Sequence, residues 1–442
     1  MEHSAVSALK GTLAYTPNFH EFVFLEDHYL VREGDRVEGV YSQLPEKFAD
    51  IPVEDWTGHI IIPGMCDMHI HAPQYAFRGL GQNIEGGRWD TWFERYAFPD
   101  ESRYADEAYA RRAYGRLVED LKATTTTRFC MYSSLHRSGT EVLMELLHKA
   151  GFAGYVGKVN MDRNSAPGLE ETTEESLAET NLWLEHCADG RFGDILPMLT
   201  PRYTPTCTDK LMEELGRLSK ENHLPIQTHL SEGLDEIEWV KKLKPEIQFY
   251  AQAYDMYGLF GTEQPAVLAH CIFPTDEEFE LMRRRNVWVA HCPNGNLNSC
   301  GTAAPILDYV DAGIHVGLGS DSAGGVTLNL MRMTYEAILA SKVRWAYLER
   351  KGPFDAKHIL TLANAFYLAT KGGGSLWGNA GSFEPGYCFD AVVLDDSRLK
   401  DFVPRSTYER VERLVSLSDD REIAAKYING RLVYRRGTEN KE

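Results

Sequence analysis

The sequence predicts an α/β protein: a (β/α)8 TIM-like barrel joined to a small β-sandwich domain formed from both chain ends. Three observations carry this. The middle of the chain alternates apolar strand-like runs with helical stretches, the strand-like runs number eight, and both ends alternate short β-type runs with turn signals.

At the N-terminal end, residues 21–25, 29–32 and 37–41 are the β-type runs, with Gly34-Asp35 as a turn before the last. Residues 390–394, 424–428 and 432–434 repeat the texture, with Asn429-Gly430 as a hairpin turn. Packing both ends together assigns residues 1–60 and 382–442 to the sandwich and residues 61–381 to the barrel. The candidate barrel strands are 60–71, 124–130, 154–160, 195–203, 226–230, 266–270, 287–291 and 316–321. Their runs are apolar rather than alternating, as expected of parallel strands covered on both faces. Helical stretches 105–121, 140–150, 173–186 and 209–222 separate them, and 328–348 and 356–369 follow the eighth strand. The segment 72–104 is long for a first loop and rich in aromatics: Tyr75, Phe77, Trp89, Trp92, Phe93, Tyr96 and Phe98. It is expected to form a local hydrophobic cluster, with a water-excluding lid as the functional alternative.

Hydrophobic content of 43% and charged content of 25% are those of a folded globular protein. The balance of 46 Lys+Arg against 65 Asp+Glu leaves a net charge of -19, which disfavours nucleic-acid polymers and anionic membrane surfaces as partners. No apolar run reaches transmembrane length, and Met1-Glu2-His3-Ser4-Ala5-Val6 lacks a signal-peptide layout, so a cytoplasmic location is expected. The eight cysteines are scattered without a Cys-x-x-Cys pair, which fits free buried thiols and argues against both disulfides and a thiolate zinc site.

In a barrel of this kind, chemistry sits at the C-terminal ends of the strands. Polar residues gather there. His69, His71 and Gln74 follow the first candidate strand, Arg202 and Tyr203 the fourth, His229 and Glu232 the fifth, His270 the sixth and Asp321 the eighth. His69 and His71 are two apart and so share one face of a strand. With His229 and Asp321 they form a nitrogen and carboxylate set suited to one Zn²⁺, with Fe²⁺ or Mn²⁺ as alternatives. Such a metal lowers the pKa of water to about 7, so hydrolysis is the implied reaction. His28, His59, His136, His186, His223 and His315 have no such company and are read as ordinary surface or core residues. Cytidine-deaminase-type zinc enzymes need a Pro-Cys-x-x-Cys pair, which is absent.

Pro63-Gly64 with His69-x-His71, Thr228-His229-x-x-Glu232, Ala269-His270-Cys271, His291-Cys292-Pro293-Asn294 and Gly319-Ser320-Asp321 resemble the amidohydrolase superfamily over nearly the whole chain. Within it, four blocks resemble the guanine deaminases: His69-Ile70-His71-Ala72-Pro73-Gln74-Tyr75, Arg95 through Glu101, Met161-Asp162-Arg163-Asn164 with Glu171 through Ser176, and Thr200-Pro201-Arg202-Tyr203. The resemblance implies one metal on His69, His71, His229 and Asp321, with His270 turned toward water or substrate and Glu232 shuttling protons. It also implies guanine as substrate, attacked at C2 to give xanthine and ammonia, and a homodimer. The binuclear branch carries a bridging lysine on its fourth strand; residues 195–200 contain none. Gln74 and Arg202 are the expected base readers, since a guanidinium offers only donors and suits the O6 and N7 acceptors of guanine. Tyr203 stands where the family pattern has phenylalanine, keeping the aromatic face and adding a hydroxyl. Asn294 is expected to brace the site, and Cys292 is read as neither nucleophile nor ligand.

Overall fold

Strands from the two chain ends pair into one seven-stranded sheet, ordered Arg431–Arg435, Ile423–Ile428, Ala391–Leu394, Val53–Pro63, Val6–Asn18, Glu21–Glu33, Arg36–Tyr41. The computed structural model describes residues 6–82, 89–349, 356–400 and 402–437. Val6–Asn18 is the hub of the sheet, antiparallel to Glu21–Glu33 on one side and parallel to Val53–Pro63 on the other. That double pairing produces a continuous sheet where the sequence reading expects a sandwich of two. Leu9, Leu13, Leu30, Ile61, Phe389 and Val393, drawn from both ends, share one buried cluster. The predicted runs 21–25 and 29–32 belong to a single strand. Its ladder slips between Gly11 and Leu13, opposite a left-handed Asp27 at φ 51°, which marks a bulge rather than a turn. At the hairpin, Asn429 and Gly430 take φ 49° and 74°, the two left-handed conformations that a tight two-residue turn requires.

The predicted strand 60–71 divides at Gly64. Residues up to Pro63 pair with Ala391–Leu394 in the end sheet, and Met65–His71 opens the parallel set. A side chain at 64 would not fit, because its Cβ would lie 2.0 Å from Thr127 Oγ1. Met65–His71, Thr126–Tyr132, Gly154–Gly157 and Ile195–Pro197 form one parallel four-stranded sheet. Ile226–Leu230, Ala266–His270, Val287–His291 and His315–Leu318 form another. Every residue of Met65–His71 and Thr126–Tyr132 is buried, which explains why these runs show no alternation. A bridge between Leu199 and Ile226 links the two sheets on one side. On the other, the Asp321 N–H donates to the His69 carbonyl (2.8 Å) and the His71 N–H to the Ser322 carbonyl (3.0 Å).

Helices Glu107–Lys122, Arg137–Lys149, Thr173–Ala188 and Asp209–Asn222 alternate with the strands as the apolar spacing requires. Three begin on side-chain caps: Asp106, Thr172 and Thr208 each accept a backbone N–H of the first turn. Polar ties fasten the end sheet to the parallel strands. Arg128 on Thr126–Tyr132 donates to Asp390 Oδ2 and Asn429 Oδ1, both at 2.6 Å. Buried Lys426 donates to the carbonyls of Leu121 and Thr126, both at 2.7 Å. In the long first loop, Phe77, Trp92 and Ala97 form a buried cluster with Ala323 from beyond His315–Leu318, and Phe93 and Tyr96 pack on it. Residues 83–88 of that loop, and the Trp89 side chain, lie outside the described residues. All eight cysteines are free. Among the described residues no helix is long and apolar enough to cross a membrane.

Candidate active site

Four strand ends deliver the chemistry. His69 and His71 come from Met65–His71, His229 from Ile226–Leu230, His270 from Ala266–His270, and Asp321 from just beyond His315–Leu318. These five side chains are between 1% and 8% exposed. The Nε2 atoms of His71 and His229 stand 3.1 Å apart, and Asp321 Oδ1 lies 3.3 Å from His69 Nε2 and 3.9 Å from His71 Nε2. The candidate donor atoms of His69, His71 and His229 lie within 4.8 Å of one another, as do those of His69, His270 and Asp321.

This set fits a divalent cation. Burial first, and neighbouring positive groups second, hold His69, His71 and His229 well below the usual imidazole range, so their rings are neutral and carry free lone pairs. Neither buried nitrogen of His69 makes a hydrogen bond. His229 donates from Nδ1 to the Arg202 carbonyl at 2.8 Å, which fixes the tautomer and aims the Nε2 lone pair inward. His71 Nε2 faces that lone pair at 3.1 Å, close enough for both nitrogens to ligate one cation.

The backbone bends unusually to make this possible. Ser231, His270, Cys271 and Asp321 all adopt left-handed φ of 48° to 73°, a conformation costing a non-glycine residue about 1–3 kcal/mol. Two glycines cradle the Asp321 carboxylate: a Cβ on Gly295 would sit 2.0 Å from its Oδ2, and one on Gly324 would sit 2.6 Å away. Burial pushes the Asp321 carboxyl up to about 6, against the pull of His270 and Arg202.

His270 Nδ1 pairs with Asn296 Oδ1 at 2.8 Å, which makes Nδ1 the donor and leaves Nε2 3.5 Å from Glu232 Oε2. Burial disfavours charge on His270, yet Glu232 and Asp321 together raise its pKa above the usual value. The Glu232 side chain keeps 26% of its surface accessible, but the crowding around it still raises its pKa, with His270 opposing. It stands just ahead of helix Leu234–Leu243, and its backbone N–H donates to Glu236 Oε2 at 2.9 Å. The position is thus a helix N-terminus and a carboxyl of raised pKa at once.

Gln74 and Arg202 are both buried and meet at a residue the sequence did not single out. Glu101 accepts from Gln74 Nε2 at 2.8 Å and from both terminal nitrogens of Arg202, at 2.8 and 3.3 Å. Burial works against the Arg202 charge, and Glu101 more than offsets it. Tyr203 is half-buried, with its ring edge-on to His229 at 6.5 Å and to Trp239 at 6.2 Å.

The structure therefore gathers His69, His71, His229, His270, Asp321 and Glu232, with Arg202, Tyr203 and Gln74 attached to them through His229 and the Asp321 loop. The bracing asparagine is Asn296 and not Asn294, whose Oδ1 instead accepts the Val326 N–H at 3.0 Å. Helical spacing explains the difference: 296 is one turn into Pro293–Cys300, while 294 lies at its start. Asp67 also escaped notice. Its Oδ1 accepts from the backbone of His69 and Ser320, tying together the segments that carry two of the clustered residues. The Cys292 thiol is buried and pushed well up, so it is neither nucleophile nor thiolate.

Parallel strands that bring His69, His71, His229, His270 and Asp321 together beside Glu232 define the class as hydrolases of mixed α/β architecture whose clustered side chains could hold a metal ion. The chain belongs to the amidohydrolase family, which matches residues 60–433. Within that family it is similar to guanine deaminases. The Dictyostelium discoideum guanine deaminase is 34% identical over 86% of this chain and 83% of that protein. The Escherichia coli guanine deaminase is 31% identical over 93% and 92%. Among solved structures, a guanine deaminase from C. acetobutylicum with bound guanine in its active site shares 40% identity at a TM-score of 0.92, covering 97% of this chain and 100% of that one.

Proposed function

We propose that the protein deaminates guanine by hydrolysis at C2, consuming water and yielding xanthine and ammonia. One divalent metal, zinc before Fe²⁺ or Mn²⁺ on donor chemistry, is held by His69, His71, His229 and Asp321. Residues 61–381 form the catalytic unit, a (β/α)8 barrel closed through the Leu199 bridge and the Asp321–His69 backbone bond. When bound, the metal supplies a water whose pKa is lowered toward about 7.

The chain's own groups do the rest. Asp321, buried beside His69 and His270, takes a proton from the attacking water. Glu232 delivers a proton to the ring nitrogen beside C2, which makes that carbon electrophilic. Water adds to C2, Glu232 takes back a proton from the new C2 hydroxyl, the exocyclic amine is protonated by Asp321 or by that Glu232 proton, and the C2–N bond breaks with release of ammonia, leaving the C2 carbonyl. His270, with Nδ1 engaged by Asn296, presents Nε2 to the oxyanion that develops at C2. Arg202 and Gln74 supply donors to the far edge of the base, and Tyr203 supplies an aromatic face.

The observation that carries the reading is the 2.8 Å bond from His229 to the Arg202 carbonyl, because it puts the base-reading arginine beside the metal ligands. The kinship with guanine deaminases supports the choice of base. The test is ammonia release by metal-loaded protein from guanine, adenine, cytosine and 8-oxoguanine side by side. Guanine alone should react well and yield xanthine. Turnover of another aminopurine or a pterin without turnover of guanine overturns the assignment.

A further inference from the structure

Glu101 lies in the turn Phe98–Glu101 of the long first loop, far in sequence from any strand end, yet it is only 1% exposed. A carboxylate so placed is expensive unless paired, and it is paired three times over. Oε2 accepts from Arg202 Nη1 at 2.8 Å, and Oε1 accepts from Arg202 Nη2 at 3.3 Å and Gln74 Nε2 at 2.8 Å. The Gln74 amide is pinned from its other end too, since its Oε1 accepts the Ala323 N–H at 3.2 Å. Its oxygen and nitrogen therefore cannot exchange places without breaking both contacts. The end-on grip on the guanidinium uses two of its five N–H groups and leaves Nε–H and the outer hydrogens without another partner among the described residues. Phe93 packs near the same guanidinium, with its ring centroid 5.6 Å away.

We propose that Glu101 is a positioning residue that sets base selectivity, fixing the donors of Arg202 and Gln74 and cancelling the arginine charge so that the pocket selects a neutral base. This rests on the guanine reading above. The charge balance has a chemical consequence. Xanthine is a stronger N–H acid than guanine, so at mildly alkaline pH part of the product is an anion while the substrate is neutral. An unpaired buried guanidinium would hold that anion, whereas a guanidinium already neutralised by Glu101 does not. The same carboxylate thus favours substrate entry and product departure.

The test compares wild type, Glu101→Gln and Glu101→Asp at pH 8, all metal-loaded and checked for fold by thermal melting. KM and kcat are measured for guanine and the inhibition constant for xanthine. Glu101→Gln is expected to raise KM for guanine about tenfold or more with kcat little changed, because an interaction equal in ground and transition states is removed. Xanthine inhibition should tighten at the same time. Those opposite movements separate the proposal from a structural defect, which would weaken both. Glu101→Asp keeps the charge but shortens the reach, so it should raise KM without tightening xanthine inhibition; it decides the matter if the Gln variant fails to fold. Wild-type KM in either folded variant, or parallel weakening of both ligands in Glu101→Gln, overturns the role of Glu101. Wild-type protein inactive on guanine overturns the substrate reading itself, a failure visible before any variant is made.

Discussion

Replacing Gly295 by alanine should strip the site of its metal while leaving the fold intact. The added Cβ would fall 2.0 Å from Asp321 Oδ2 and 3.0 Å from the carboxyl carbon. Ordinary contact lies at 3.4–4 Å, so the carboxylate must retreat, and Gly324 on its other side leaves little room. The retreat is about 1 Å or more, several times the ~0.2 Å within which metal–ligand distances are held. Disturbing even an indirect support of a ligand costs about 10–100-fold in metal affinity, and a shift of this size costs about 10²-fold in rate. We expect Gly295→Ala to lose metal to a chelator at about 100-fold lower concentration than wild type, read by metal analysis after graded dialysis. Its turnover at limiting metal should fall in proportion. Gly115→Ala is the control, because nothing lies within 4 Å of a Cβ there and Gly115 is interior to helix Glu107–Lys122. It should gain about 0.5–1 kcal/mol of stability from helix propensity and keep full activity. Stoichiometric metal and wild-type turnover in Gly295→Ala would refute the reasoning, since the cradle would then be slack.

Glu232→Gln should retain metal and lose about 10²–10⁴-fold in kcat, because it removes the proton carrier but no ligand; near wild-type kcat would take Glu232 out of the mechanism. Glu278 gives a pH dependence. It is buried, accepts from Ser231 Oγ at 3.0 Å and the Ala251 N–H at 2.8 Å, and burial pushes it up to about 7. A carboxyl raised on folding adds stability that is fully present below its unfolded pKa and is lost as pH rises through about 7. Between pH 4 and pH 8 that loss is ~3 kcal/mol, and urea unfolding of Glu278→Gln should show a correspondingly flatter pH profile. Identical slopes for the two proteins would show that Glu278 does not titrate in this range.

What could be read in the sequence was whatever repeats a local rule. His69 and His71 announce a shared strand face by their spacing, and His229, His270 and Asp321 stand at the ends of apolar runs whose length marks buried strands. Glu101 obeys no such rule: it lies in a helical turn inside a loop, and its meaning depends on Arg202 about a hundred residues later. The block Arg95 through Glu101 carried the family resemblance without giving Glu101 a role; a count of charges could have done so, because a buried Arg202 needs an acid somewhere. Asn296 was missed by one half-turn, since sequence spacing fixes which residues lie near a helix start but not which of them faces His270. The break at Gly64 escaped because apolar residues continue through it; the two strands it separates are both buried and look like one. The joining of the two ends was expected, but that their strands pair into one sheet escaped for a related reason. Strand pairing between residues hundreds of positions apart leaves no local trace.

That last pairing bears on how the protein is made. On the ribosome, strand Val53–Pro63 emerges early, but its neighbour Ala391–Leu394 follows roughly 330 residues later, which at about 5–20 residues per second is a wait of tens of seconds. Throughout that interval an apolar edge, Ile60-Ile61-Ile62, is open to any stray strand. Met65–His71 continues directly from it, so His69 and His71 are tethered to a strand that has not yet found its place. Slow synthesis or chaperone depletion should therefore reduce yield through this edge, independently of how stable the finished enzyme is.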